Sequence, residues 1–117
     1  PAMIKRLETE IYRPWLVKLL RPHHVILVTA RPERWREPTL QRIRAQTGWA
    51  PQEAFFNDRN LGPPAFKEHV LRAHLLPRFE ADEMFAIESN PRTRAMYERY
   101  GIPAIPVGER PWRRLPA

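Results

Sequence analysis

No cysteine occurs in the chain, which excludes disulfides, zinc–thiolate sites and a cysteine nucleophile and leaves the redox compartment open. Long apolar runs are missing too. The longest, Val25 to Val28, falls far short of the roughly 20 residues needed to span a bilayer as a helix. Lys5, Arg6, Glu8 and Glu10 interrupt the N-terminus, so no secretory signal is read there and a cytoplasmic location is expected. Lysine is scarce: Lys5, Lys18 and Lys67 are the only three, and the rest of the 20 basic residues are arginines. Arginine suits phosphate recognition because its planar fork donates bidentately.

What remains is an ordinary globular composition, with 43% hydrophobic and 28% charged residues in 117. That is enough for one core and well outside the range of disorder. A formal net charge of +7 points to an anionic or nucleic-acid partner, although a GC-rich coding sequence would leave the same Arg- and Pro-rich imprint.

The spacing of Ile4, Leu7, Ile11, Trp15 and Leu19 predicts an amphipathic helix over Ile4 to Leu20, broken or kinked at Pro14. Val25 to Val28 is a continuous β-branched-rich run, the pattern of a strand buried on both faces, and Thr29 to Pro32 ends it. A helix is expected over Pro38 to Gln46 with Gly48 as its cap. A strand over Ala54 to Phe56 should close at Asn57-Asp58, and a helix over Ala65 to Leu76 should bury Phe66, Val70 and Ala73. A strand over Met84 to Ile87 follows. Ser89-Asn90-Pro91 then starts a helix that runs to Tyr100 and stops at Gly101, with Met96 and Tyr97 facing the core. Ile102 to Val107, holding two prolines, suits only an edge strand. The order implies a three-layer α/β domain over 1–107 with a mostly parallel sheet of about four strands, and 108–117 reads as a basic, loosely ordered tail.

In such sheets ligands bind at the carboxyl ends of the strands. The residues placed there are Thr29, Asn57-Asp58 and Glu88-Ser89-Asn90, joined by Lys67 near the start of the third helix. A hydroxyl, a cation, carboxylates and helix N-termini on one edge constitute phosphate-binding equipment. Arg31, Arg34, Trp35 and Arg36 form a basic cluster with one aromatic beside that edge, a mixture that grips a phosphodiester backbone and stacks a base. Arg110, Trp112, Arg113 and Arg114 repeat it in the tail. His23 and His24 are neighbours, and His69 and His74 are five apart, so neither pair has the spacing of helical metal ligands.

Val25-Ile-Leu-Val-Thr-Ala-Arg31, then Phe66-Lys67, then Met84-Phe-Ala-Ile-Glu-Ser-Asn90 before an Arg-rich helix ending at Gly101-Ile102 resembles the haloacid dehalogenase-like superfamily over about Trp15 to Val107. Within it the order looks most like the phosphatase domains of polynucleotide kinases. The resemblance implies a Rossmann-like fold, a second-motif hydroxyl at Thr29 that binds the phosphoryl group, and a third-motif cation at Lys67. It also implies a fourth-motif acid at Glu88 that helps to hold Mg²⁺. From the residues themselves, Asp58 is the candidate second ligand or substitute acid, and Arg31, Arg34, Trp35, Ser89 and Asn90 are the candidate substrate contacts. The family's first strand, ending in the Asp-x-Asp that supplies the nucleophile, finds no counterpart before Thr29. That strand lies at the centre of the sheet. Its place would be left by a shortened chain, closed by direct pairing of its neighbours, or filled by another chain, as in a swapped homodimer. The expectation is therefore a degenerate phosphatase domain that recognises phosphate. An active Mg²⁺-dependent phosphohydrolase, if a first motif is supplied, and a non-catalytic nucleic-acid-binding or assembly module are the alternatives.

Overall fold

A computed structural model describes residues 2–5 and 14–106. Its sheet is built from β1 (Ala2–Lys5), β2 (His24–Pro32), β3 (Glu53–Asn57), β4 (Met84–Ile87) and β5 (Ala104–Ile105). The strand order is β3-β2-β1-β4-β5, and every neighbouring pair is parallel. Between the strands lie α1 (Pro14–Leu20), α2 (Arg36–Thr47), α3 (Pro63–Val70) and α4 (Pro91–Arg99). The chain is thus a mixed α/β protein around a parallel sheet.

The main correction concerns the N-terminus. Where a helix was expected over Ile4 to Leu20, Ile4 and Lys5 belong to a strand and Pro14–Leu20 to a helix; residues 6–13 lie outside the described residues. Four residues with weak local preference become a strand because both edges are used: Ala2 to Lys5 pair with His24 to Leu27 on one side and with Met84 to Ile87 on the other. Backbone pairing on two sides outweighs a helical periodicity that rests on side chains alone. The central place, expected to be left by a shortened chain, closed by direct pairing of its neighbours or filled from another chain, is occupied by this chain's own Ala2–Lys5.

The core has two parts. Ile26 and Val28 of β2 pack with Met84 and Ala86 of β4 against Phe66, Val70, Met96 and Tyr97 of α3 and α4. Val25 and Leu27 pack with Phe56 and Ile87 against Leu16, Val17 and Leu20 of α1 and Ile43 of α2. Alternate residues of one continuous apolar strand therefore serve opposite faces. On α1 the buried side chains are Leu16, Val17 and Leu20, whereas Trp15 and Leu19, expected inside, are 53% and 51% exposed.

Other boundaries follow local chemistry. Gly48 ends α2 at φ 69°, its N–H bonded to the Arg44 carbonyl, and Gly101 follows α4 at φ 79°. Asn90 caps α4, its side chain accepting from the Arg92 and Thr93 amides. Met96 and Tyr97 are buried, and β5 lies at the sheet edge, as expected. The strand β2 runs on through Pro32, with its pairing to β3 shifted between Val28 and Pro32. After Val70 the third helix widens into a π turn over Leu71–Leu75, which shifts the phase: Leu71 and Leu75 are buried and Ala73 is exposed, the reverse of the regular-helix expectation. Among the described residues no helix is long and apolar enough to cross a membrane.

Candidate functional site

Register brings the expected residues to one edge. Lys5, the last residue of β1, is level with Leu27 and Ile87, so Thr29 and Glu88 stand just beyond it on the two flanking strands. Two strand steps separate those strands, roughly 10 Å. The exit of β1 therefore lies between a hydroxyl and a carboxylate.

Glu88 is 1% exposed and Lys67 is 1% exposed. The Lys67 Nζ donates to Glu88 Oε1 at 2.6 Å, and the Asn90 N–H donates to Glu88 Oε2 at 2.9 Å. One carboxylate thus ties the third helix to the turn that starts α4. Arg94 braces the same turn, its Nη1 donating to the Glu88 carbonyl at 3.0 Å and the Ser89 carbonyl at 2.9 Å. The sequence marked α4 only as an Arg-rich helix and gave Arg94 no role; its place in the first turn of a helix that opens on the expected edge was the available signal. Burial, reinforced by the charge of Glu88, lifts the Tyr97 hydroxyl above its ordinary pKa.

Thr29, 4% exposed, bonds locally: its Oγ1 accepts from the Arg31 N–H at 3.1 Å. Arg31 in turn donates from Nη1 to Thr39 Oγ1 of α2 at 3.4 Å. Lys67, Glu88, Ser89, Asn90 and Arg94 are joined by direct bonds, then, while Thr29 belongs to the β2–α2 side of the edge.

The basic cluster divides. Arg36 gives Nε and Nη2 to the Glu33 carboxylate at 2.7 and 3.1 Å and Nη1 to the Ala54 carbonyl at 3.1 Å, so its fork is spent inside the protein. Arg34 lies 5.7 Å from the centre of the Trp35 ring, and Trp35 is 46% exposed. Ala30, Pro32, Arg34, Asn57, Asp58 and Leu61 line an open groove of about 490 Å³ at the carboxyl ends of β2 and β3. Asn57 shapes it by donating to the Ala30 and Leu61 carbonyls at 3.2 and 2.7 Å.

Asp58 is exposed at the end of β3, and the sheet order sets three strand steps, roughly 14 Å, between the ends of β3 and β4. It is not brought together with Glu88. Among the described residues no group of three His, Asp or Glu side chains is disposed to hold a metal ion, and both oxygens of Glu88 are already engaged. The carboxylates expected as Mg²⁺ ligands do not make a magnesium site by themselves. The tail cluster Arg110, Trp112, Arg113 and Arg114 lies outside the described residues.

No protein-family model matches this chain, and no curated protein matches it either.

Proposed function

We propose that the chain is a three-layer, Rossmann-like domain of the haloacid dehalogenase type that recognises phosphate groups at the carboxyl edge of its sheet. The observation that carries the reading is the buried Lys67–Glu88 pair beside the central strand. Taking two charges out of water costs several kcal/mol per ion, and a buried pair gives little stability over apolar residues of the same volume. Its presence where ligands bind in parallel sheets is accounted for by function. Thr29 and the groove beside Arg34 and Trp35 supply the hydroxyl and the outer contacts, and a phosphorylated small molecule or a nucleic-acid terminus is the substrate class. The cytoplasmic setting belongs to the same proposal.

A second reading, turnover rather than recognition alone, is favoured by β1. With this strand at the centre, the chain leaves it on the edge that carries Thr29 and Glu88, and Glu8-Thr9-Glu10 follows in the sequence. These residues lie outside the described ones; by type alone they are two carboxylates, the kind of group that the resemblance calls for in a nucleophile and an acid. No step is assigned to Mg²⁺; the assay treats it as a variable.

The test pairs calorimetric titration with inorganic phosphate and turnover of an aryl phosphate and a 3′-phosphorylated oligonucleotide, with and without Mg²⁺. Saturable phosphate binding without turnover supports recognition. Turnover that is lost in Glu8→Gln or Glu10→Gln establishes the hydrolase. Neither binding nor turnover would refute both, and a log–log salt slope of about one per phosphate contacted, with oligonucleotides lacking a terminal phosphate, would mark a nucleic-acid-binding module instead.

A further inference from the structure

We infer that His69 and His74 form a two-imidazole binding site for a divalent transition metal of the zinc, nickel and copper group. On a regular α-helix, residues five apart point to different sides, which is why their spacing argued against a shared ligand. The π turn over Leu71–Leu75 changes this, with the Leu76 N–H bonded five residues back to the Leu71 carbonyl at 2.8 Å. The extra residue wound into the helix brings the two rings to a centroid separation of 6.0 Å with their planes at 89°. Such single π turns are costly and concentrate at functional positions.

The distance fits the chemistry. An imidazole nitrogen binds these metals at about 2.0 Å, which puts each ring centroid roughly 3 Å from the ion, so two rings sharing one ion lie roughly 5–6 Å apart. His74 is held in place because its ring lies against Phe55 of β3, 5.0 Å away and inclined by only 26°. Both histidines line a cavity of about 170 Å³ together with Glu33, Arg36, Asp58 and Arg59. The Glu33 carboxylate is taken up by Arg36, which leaves Asp58 as the acidic group the cavity offers. A full three-residue cluster is not formed among the described residues, so the remaining coordination positions are open to water or an exogenous ligand. A nitrogen and oxygen donor set without thiolate selects the later first-row divalent ions over Mg²⁺ and Ca²⁺. The Arg59 cation on the same wall weakens the site, which sets the expected affinity in the micromolar range.

Titration of the full, tag-free chain with Cu²⁺, Ni²⁺ and Zn²⁺ by calorimetry tests the inference. The expected result is one ion per chain, bound at least tenfold more weakly by His69→Gln and by His74→Gln. Binding should be unchanged in the His23→Gln/His24→Gln double variant. His74 is exposed, so its variant keeps the test valid if His69→Gln fails to fold, with circular dichroism as the check. Absence of saturable binding, its survival in His74→Gln, or its loss only in the His23/His24 variant would overturn the inference.

Discussion

Replacing Lys67 by Met removes the ammonium that lies 2.6 Å from the Glu88 carboxylate and leaves that carboxylate buried. Breaking a buried pair from one side costs about 3–5 kcal/mol, a large part of the roughly 5–15 kcal/mol that holds a domain folded. For a chain of this size the melting temperature should fall by roughly 10–25 °C, with a matching drop in the urea midpoint. Glu88→Met should also destabilise, because it removes the carboxylate that lies 2.6 Å from the buried Lys67 ammonium. The double variant Lys67→Met/Glu88→Met should recover most of the loss, since no charge is then buried, giving a coupling energy of about 3 kcal/mol in the cycle. Urea denaturation of the four proteins, with slopes compared to verify a common unfolded state, provides the assay. The functional half is read on the same samples. If the pair serves phosphate recognition, the double variant is stable but no longer binds inorganic phosphate. A single variant within 1 kcal/mol of the parent would refute the energetic reasoning, and a stable double variant that binds phosphate normally would refute the placement of the site.

Two further outcomes follow from local geometry. Asn90→Ala removes the acceptor for the Arg92 and Thr93 amides and should cost about 1 kcal/mol in thermal or chemical unfolding, less than either Lys67 or Glu88 variant. The Arg78 guanidinium bonds Glu53 through both oxygens at 2.7 Å, and with His24 it lowers the Glu53 carboxyl to about 2 against the partial burial that opposes it. Because the folded-state value lies below the ordinary one, this contribution is complete above about pH 4.5 and is lost as pH falls from there towards 2. A Glu53→Gln variant should therefore show a shallower fall in stability across that window, and the difference should shrink in high salt because the pair is partly exposed. Parallel pH profiles for the two proteins would contradict it.

How far the fold was legible depended on how local each determinant was. The strand at Val25 to Val28 announced itself because a continuous β-branched run has few other uses. The caps at Asn90, Gly48 and Gly101 were readable because one residue type satisfies a helix end or adopts φ near 70–80°. For the same reason the residues just past the strands could be named in advance as an edge cluster, and Thr29, Lys67 and Glu88 are all buried near it.

The sequence by itself determined these punctuation marks and the alternation of elements, since each rests on the conformational preference of a few adjacent residues. Only the tertiary structure decided that Ala2 to Lys5 form the central strand, because that choice is made by backbone partners more than 20 positions away. It also decided which side of α1 is buried, with Leu16 and Leu20 inside and Trp15 and Leu19 outside, since periodicity proposes a face but the layer packed against it selects one. The Lys67–Glu88 bond spans 21 residues, and the π turn that brings His69 to His74 leaves no mark in composition. Both arise where two elements meet, and hydrogen bonding and packing at that meeting outweigh what either segment prefers alone.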